Sequence, residues 1–544
     1  MADSDVSLAG ARKVADRLRR AVDAALAAGR KLTDGGRAID DHQPHSERLA
    51  YLATETAAVE ALIAYAGEAS AEDPFAAESA AIFTAMVAAR ARAQLADHAD
   101  LFGVAGSVLD ETLGAPDVGA FVRAGLADAR IEALGADVVR RRGTPDAWLA
   151  SDVDRATREA VRAFAREEVA PIAQRIHLGD ELVPETIIQK MAELGFFGLS
   201  VPEEYGGQGM GNVAMILTTE ELSAASLAAA GSLITRPEIL TKALLAGGSE
   251  DQKRTWLPRI AAGEIMVAIS VTEPDTGSDV ASVKVRAERG EQGGASGWFI
   301  SGAKAWCTFA GRANAIAMLT RTDPDPARGA RGLSLFIVPK DSFPGHEFTM
   351  RQPGGGTIEG KADRTPGYRG MHSYTMQIDR YFVPAENLVG KEGQGFYLQM
   401  SGFAAGRLQT GGRATGVAQA AIEAAAAYAS ERSQFGQPIG TYPLTRYKLG
   451  RMAVEIAAAR QLTYHAARLF DEDEKRALEP AMAKLFACDV AVRTTQEAQL
   501  LHGGWGFAEE FPVCRYVLDA LVLPIFEGVK PILELKVIAR NLLQ

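Results

Sequence analysis

Along the chain, apolar and polar positions fall into four zones that differ in period. Residues 1–145 repeat apolar side chains at helical spacing in alanine-rich stretches such as RLAYLATETAAVEALIAYA (48–66), which predicts long helices. RRRGTPDAWLASD (140–152) has linker composition. Helical spacing resumes over 150–265, in DRATREAVRAFAREEVAPIAQRI, ETIIQKMAELGFFGLSVPEEYGGQGMG and TTEELSAASLAAA. Over 266–390 the period drops to two in β-rich runs: MVAISVTEP, SVKVRAERG, GWFISGAKAWCTF, NAIAMLTRT, LSLFIVPKD and YTMQIDRYFVP. Long helices return over 391–544, the last of them after Glu527. The order helices, helices, sheet, helices predicts four domains on these boundaries, in keeping with a chain of 544 residues.

The two outer zones resemble each other. LAYLATETAAVEALIAYA (49–66) aligns without gaps on LGRMAVEIAAARQLTYHA (449–466), with identities at 49, 53, 55, 57, 58, 62 and 66. After a short offset, AAIFTAMVAAR (80–90) tracks AKLFACDVAVR (483–493). This pattern predicts that the front zone is a degenerate copy of the C-terminal helices. The loops SQFGQ and LLHGGWG of the C-terminal copy have no counterpart in it, so its role is packing rather than chemistry.

Composition narrows the function classes. Hydrophobic residues make up 47%, enough for a large core, and a net charge of −11 argues against nucleic acid or an anionic membrane as partner. Cys307, Cys488 and Cys514 are far apart, which excludes a disulfide scaffold, predicts no metal centre and fits a reducing compartment. The start, MADSDVSLAGARKVADRLRR, lacks a basic-then-apolar leader, and no run reads as a bilayer span. A cytoplasmic setting is expected.

Three stretches carry chemistry. VTEPDTGSDV (271–280) offers glycine, hydroxyls and backbone N–H groups suited to a polar-edged ligand, although an ordinary turn has the same composition. In AKAWCTFAG (303–311), Trp306 and Thr308 would share one strand face, where a flat wall and a donor can orient a planar ring; a core tryptophan is the plainer reading. In LVLPIFEGVKPILEL (521–535), Glu527 sits in an apolar run, where a carboxylate is costly unless it is paired, hydrated or used. A side chain pointing to water would also account for it.

Taken together, Thr-Glu-Pro-x-x-Gly-Ser-Asp, then Gly-x-Lys-x-Trp-x-Thr, ERSQFGQPI (431–439), LLHGGWGF (500–507) and IFEGVKPILELKVIAR (525–540) resemble the acyl-CoA dehydrogenase family, in its order and spacing over 150–544. The resemblance implies an α-helical N-terminal domain, a central β-barrel or sandwich and a C-terminal four-helix bundle, here preceded by an extra helical extension. It also implies FAD, with Ile269, Val271, Thr272, Gly277, Ser278, Trp306, Cys307 and Thr308 at the flavin, and Arg432, Phe435, Gly503 and Gly504 reaching the adenosine half from a neighbouring subunit. Glu527 would be the base that takes the proton next to the thioester, with its backbone N–H polarising the carbonyl. A branch of the family carries its base just before an arginine. That position is Gly406 here, followed by Arg407, and glycine cannot serve. Ser278, Arg407 and Gly528 would line the substrate, electron-transfer flavoprotein would be the acceptor, and the shared cofactor implies a homo-oligomer.

Departures from the family pattern are Val529, Lys530 and Pro531 after Glu-Gly, Leu500 before the Gly-Gly turn, Pro443, and Ala404. The front extension and the glycine-rich insert QPGGGTIEGKADRTPGYRGMHSYT (352–375) resemble a branch acting on a short, branched acyl-CoA with a free carboxylate. Burying such a carboxylate needs a cation or several donors, for which Arg236 is the first candidate and Lys530, Arg369, His372 and Tyr374 are weaker ones. Because the extension would cover the bundle surface within each chain, a dimer is expected rather than a tetramer. An acyl-CoA oxidase or flavin monooxygenase on the same fold, or an inactive scaffold, are the rival classes.

Overall fold

The computed structural model describes residues 6–69 and 71–544. In chain order the helices used below are α1 (Leu8–Leu32), α2 (Gln43–Ala69), α3 (Pro74–Asp97), α4 (Asp128–Arg141), α5 (Ala170–Gly179), α6 (Thr235–Gly247), α7 (Gly395–Glu431), α8 (Pro443–Glu472), α9 (Leu478–His502) and α10 (Lys530–Ile532). α10 runs on through a wider-wound stretch, Leu533–Ala539, to a last turn, Arg540–Leu543. The strands are β1 (Val267–Ser270), β2 (Arg286–Gln292), β3 (Ala295–Thr308), β4 (Ala315–Arg321), β5 (Leu333–Pro339), β6 (Glu347–Arg351), β7 (Thr357–Ala362), β8 (Ser373–Pro384) and β9 (Leu388–Val389).

The four zones of the sequence collapse into two compact units. One joins the chain up to Arg155 to Thr410–Phe470 and Arg476–Gln544; the other holds Ala156–Gln409 with Asp471–Lys475. The front extension therefore folds with the C-terminal helices. Two of its helices, α1 and α3, start at side-chain caps: Ser7 Oγ accepts from Gly10 N–H at 3.2 Å, and Asp73 Oδ1 accepts from Ala76 N–H at 3.0 Å. The aligned repeat segments lie on α2 and α8, and on α3 and α9.

α2 packs on the terminal helix and on α9, and α4 crosses α8 at glycine on glycine. A Cβ on Gly135 would stand 1.7 Å from the Arg446 carbonyl oxygen, and one on Gly450 would stand 2.2 Å from that of Ile131. By composition, Ile39–Ala69 is long and apolar enough to cross a bilayer, contrary to the expectation that no run is. In the fold 78% of that apolar window is buried, so its hydrophobicity serves the core.

In the second unit the strand order is β6-β7-β8-β3-β2-β4-β5-β9, with β1 parallel to β4. One face of the sheet buries Trp298, Ile316, Met318, Phe336, Met376 and Tyr381. Around β1, β4 and β5 the other face packs against Leu240, Leu244, Trp256 and Leu257. Those strands are covered on both sides, which is why AIAMLTR and LSLFIVP read as continuous apolar runs rather than alternations. The glycine-rich insert is not all loop. TIEGKA forms β7 between β6 and β8, with Ile358 buried and Gly360 leaving room for the Phe348 ring, which a Cβ there would meet at 2.2 Å. A glycine and two charges in that stretch hid the alternation.

Gly135→Ala should lower stability by about 1–3 kcal/mol, because overpacking against a backbone carbonyl outweighs the gain in helix propensity. Denaturant unfolding of the intact chain measures this; an unchanged midpoint would mean that α4 does not bear on α8.

Candidate active site

In the second unit, two sequence motifs are tied by one buried charge pair. Glu273 accepts from Val285 N–H and Lys284 N–H at 2.8 Å each, and from Lys304 Nζ at 3.0 Å. Lys304 is fully buried and also donates to the Val271 carbonyl at 2.9 Å, while Ala305 N–H reaches the Thr272 carbonyl at 2.9 Å. Burial pushes the Lys304 amine down to about 8, with Glu273 opposing that shift. The turn at 271–276 and the strand at 303–308 thus form a single piece. Gly277 and Ser278 stand exposed at its tip; a Cβ on Gly277 would meet only Thr272 Cγ2, at 3.7 Å.

Trp306 and Thr308 do not behave as neighbours on one strand face. The β3–β8 register slips between Lys304 and Cys307, and Trp306 takes φ +56° there. This bulge turns the indole outward, 58% exposed. Thr308 stays buried, its hydroxyl 2.9 Å from that of Ser373. Simple alternation cannot be carried across an extra residue. The Cys307 thiol lies in the core, where burial pushes it up to about 12, so only its backbone can meet a ligand. Val271 is buried, and Ile269 and Thr272 are half-buried. An outward-facing indole beside a hydroxyl and an open glycine-serine tip fits the edge of a planar, polar ring system.

Arg236 on α6 is 5% exposed, donates to the Ser232 carbonyl at 3.2 Å and lies close enough to bias the Cys307 thiol towards its charged form. Three weaker candidates hold structural contacts instead. Arg369 donates to the carbonyls of Thr365 and His177, His372 Nε2 meets Asp180 Oδ1 at 3.0 Å, and Tyr374 donates to the Gly345 carbonyl. Arg407 is buried on α7, where Gly406 precedes it.

In the other unit, Glu527 does not point to water: its side chain is 6% exposed. Its backbone adopts φ +49°, followed by Gly528 at φ +100°. A non-glycine residue pays about 1–3 kcal/mol for that conformation, typical of functional loops. Glu527 Oε2 accepts from Thr410 Oγ1 and from Arg413 Nη2, both at 3.3 Å. Arg413 is fully buried, donates to Thr410 Oγ1 at 2.6 Å and lies 4.6 Å over the Phe526 ring. The 527–530 loop is held from below. Lys484 Nζ donates to the Gly528 carbonyl at 2.8 Å, and Lys530 Nζ reaches Asp489 at 2.6 Å, which also accepts from Tyr51 of the extension at 2.6 Å. Lys530 is thus a strut of this loop. Thr410 and Arg413, three residues apart on α7, escaped the sequence reading because QTGGRATGV looks like plain helix. The only available signal was a charged residue in a strip where its neighbours are small.

Also in this unit, Arg432 and Phe435 lie in an exposed hairpin, with Phe435 95% exposed. Gly503 and Gly504 are exposed with nothing within 4 Å of an added Cβ. Leu500, Trp505 and Phe507 are also exposed around them.

Lys304→Met would leave Glu273 buried without its ammonium partner. It should cost about 3–5 kcal/mol, the scale for breaking a buried pair. Thermal unfolding measures this, and a shift near zero would show that the backbone N–H groups alone sustain Glu273.

Comparisons with known proteins agree with this geometry. Residues 151–264, 268–381 and 393–543 match the family models of the acyl-CoA dehydrogenase N-terminal, middle and C-terminal domains. The chain is 39% identical over 542 residues to a (2S)-methylsuccinyl-CoA dehydrogenase of Cereibacter sphaeroides, covering 94% of each. It is similar to the solved butyryl-CoA dehydrogenase of Megasphaera elsdenii, with a TM-score of 0.67 and 29% identity, covering 73% of this chain and all of that one. A glutaryl-CoA dehydrogenase from Mycobacterium smegmatis in complex with FADH2 matches with a TM-score of 0.62 and 26% identity, over 71% of this chain and 94% of that one. The two solved structures leave about a quarter of this chain unmatched, whereas the Cereibacter relative spans nearly all of it. By these matches, and with Glu527 drawn into a buried charge pair and the turn and strand motifs locked together, the chain belongs to the acyl-CoA dehydrogenase family and is an FAD-dependent oxidoreductase of acyl-CoA thioesters.

Proposed function

We propose that the substrate is (2S)-methylsuccinyl-CoA and the product mesaconyl-CoA, the desaturation used in the ethylmalonyl-CoA route of acetate assimilation. The single observation that carries this reading is the match to a relative of that activity along 94% of the chain, extension included. Thr272, Gly277, Ser278, Trp306 and Thr308 would hold the isoalloxazine, and Arg432, Phe435, Gly503 and Gly504 of a second subunit the adenosine half. When bound, FAD supplies the acceptor for the two electrons and the hydrogen that leave the β-carbon as hydride. Glu527 takes the α-proton as that bond breaks, so one proton and one hydride leave and a trans double bond forms. Its backbone N–H donates to the thioester oxygen, where negative charge develops. Electron-transfer flavoprotein is the proposed acceptor.

A homodimer is proposed as the working form. Phe435 and Phe507, 95% and 82% exposed, are large apolar side chains in the loops assigned to a neighbour's cofactor, as expected of a surface that a partner covers. The extension already covers the terminal helix within the chain. Light scattering of the holoenzyme should give the mass of two chains; a stable tetramer would overturn the proposal.

Glu527→Gln keeps the side chain's size and removes its basicity. The variant should stay yellow, and anaerobic bleaching by (2S)-methylsuccinyl-CoA should slow by about two to four orders of magnitude, the scale for losing a general base. Bleaching at the wild-type rate would place the base elsewhere.

A further inference from the structure

A guanidinium in contact with a catalytic carboxylate needs a reason. Arg413 is fully buried and shares Glu527 Oε2 with Thr410, at 3.3 Å from each. Buried charges are costly to strand, so a position that breaks this pairing must replace it. Proton transfer to Glu527 breaks it: the carboxylate becomes a neutral acid, and the guanidinium loses a counter-charge at the moment the reaction needs the base.

We propose that Arg413 is the specificity group of this active site, holding Glu527 in the resting enzyme and passing its donors to the free carboxylate of a dicarboxylic acyl-CoA. This inference rests on the substrate reading above. In such a substrate the free carboxylate is attached to the β-carbon, two bonds from the α-carbon whose proton Glu527 takes, so base and carboxylate share one neighbourhood by covalent geometry. A guanidinium presents five N–H donors in a planar fork suited to exchanging one carboxylate for another. Once the substrate carboxylate holds the fork, Glu527 Oε2 is released for the α-proton and Arg413 keeps an anionic partner through the whole step. A neutral acyl chain cannot make the exchange. It must draw a proton onto a carboxylate still held by Arg413 and Thr410, and it brings no anion to replace the charge that this carboxylate loses. Discrimination therefore falls on the chemical step as well as on binding, which a surface contact to the carboxylate would not achieve. Arg236, the first candidate from the sequence, lies beside Cys307 and donates to Ser232.

The test compares anaerobic flavin bleaching by (2S)-methylsuccinyl-CoA and by butyryl-CoA in the wild-type holoenzyme, Arg413→Met and Arg413→Lys. Arg413→Met should lose about thirty-fold to several thousand-fold on the carboxylated thioester, as expected for removing one partner of a buried charge pair. Its loss on butyryl-CoA should be smaller by at least about tenfold, so that the preference between the two substrates collapses. Equal losses on both would make Arg413 structural and overturn the inference. If Arg413→Met fails to retain flavin, Arg413→Lys decides. It keeps the charge without the fork and should narrow the preference by at least about tenfold; a preference equal to that of wild type overturns the inference. Wild-type enzyme that bleaches with butyryl-CoA but not with methylsuccinyl-CoA would sink the substrate reading itself, before any variant is compared.

Discussion

The Lys304–Glu273 pair is the contact that joins the turn at 271–276 to the strand at 303–308. Neither residue is expected to touch a ligand, yet between them they take two backbone N–H groups and one carbonyl out of solvent. The result is that a turn and a strand about thirty residues apart in sequence move as one. Burial opposes the ammonium, and Glu273 restores it, so the pair persists because both halves are satisfied together. What this rigidity serves is next to it: an indole turned out by a bulge and a threonine turned in.

Glu527 is held by a different logic. Glu527 occupies a left-handed backbone position that is strained for a side chain, and the strain is contained by Lys484, Lys530 and Asp489 around the loop. Tyr51 brings the front extension into that support through Asp489. The extension is thus more than a cover over the terminal helix. It contributes a hydrogen bond to Asp489, the residue that holds Lys530 of the Glu527 loop.

Buried cations recur at each of these points: Lys304 under the turn, Arg236 on α6, Arg413 beside Glu527 and Lys484 beneath the loop. Lys304, Arg413 and Lys484 each reach a carbonyl or carboxylate from a distant segment, whereas Arg236 donates to the Ser232 carbonyl four residues earlier. In a chain whose net charge is −11, these cations are held inside by oxygen acceptors rather than left to solvent.

Much of this was legible in the order of residues. Period and composition marked the helices, most strands and the switch at 266, because one buried face imposes 3.6 or 2 on the pattern whatever lies opposite. The motifs singled out Glu527, Trp306 and Thr308 as candidates, because a reacting site would restrict residue type at such positions. Tertiary structure alone decided three things. It merged four sequence zones into two units, made a strand of TIEGKA, and placed Arg413 against Glu527 across 114 residues of chain. The physical reason is common to all three. Periodicity reports that a position is buried, but not against what, and a bulge, a sheet partner or a charge pair is a property of two segments that no single stretch encodes.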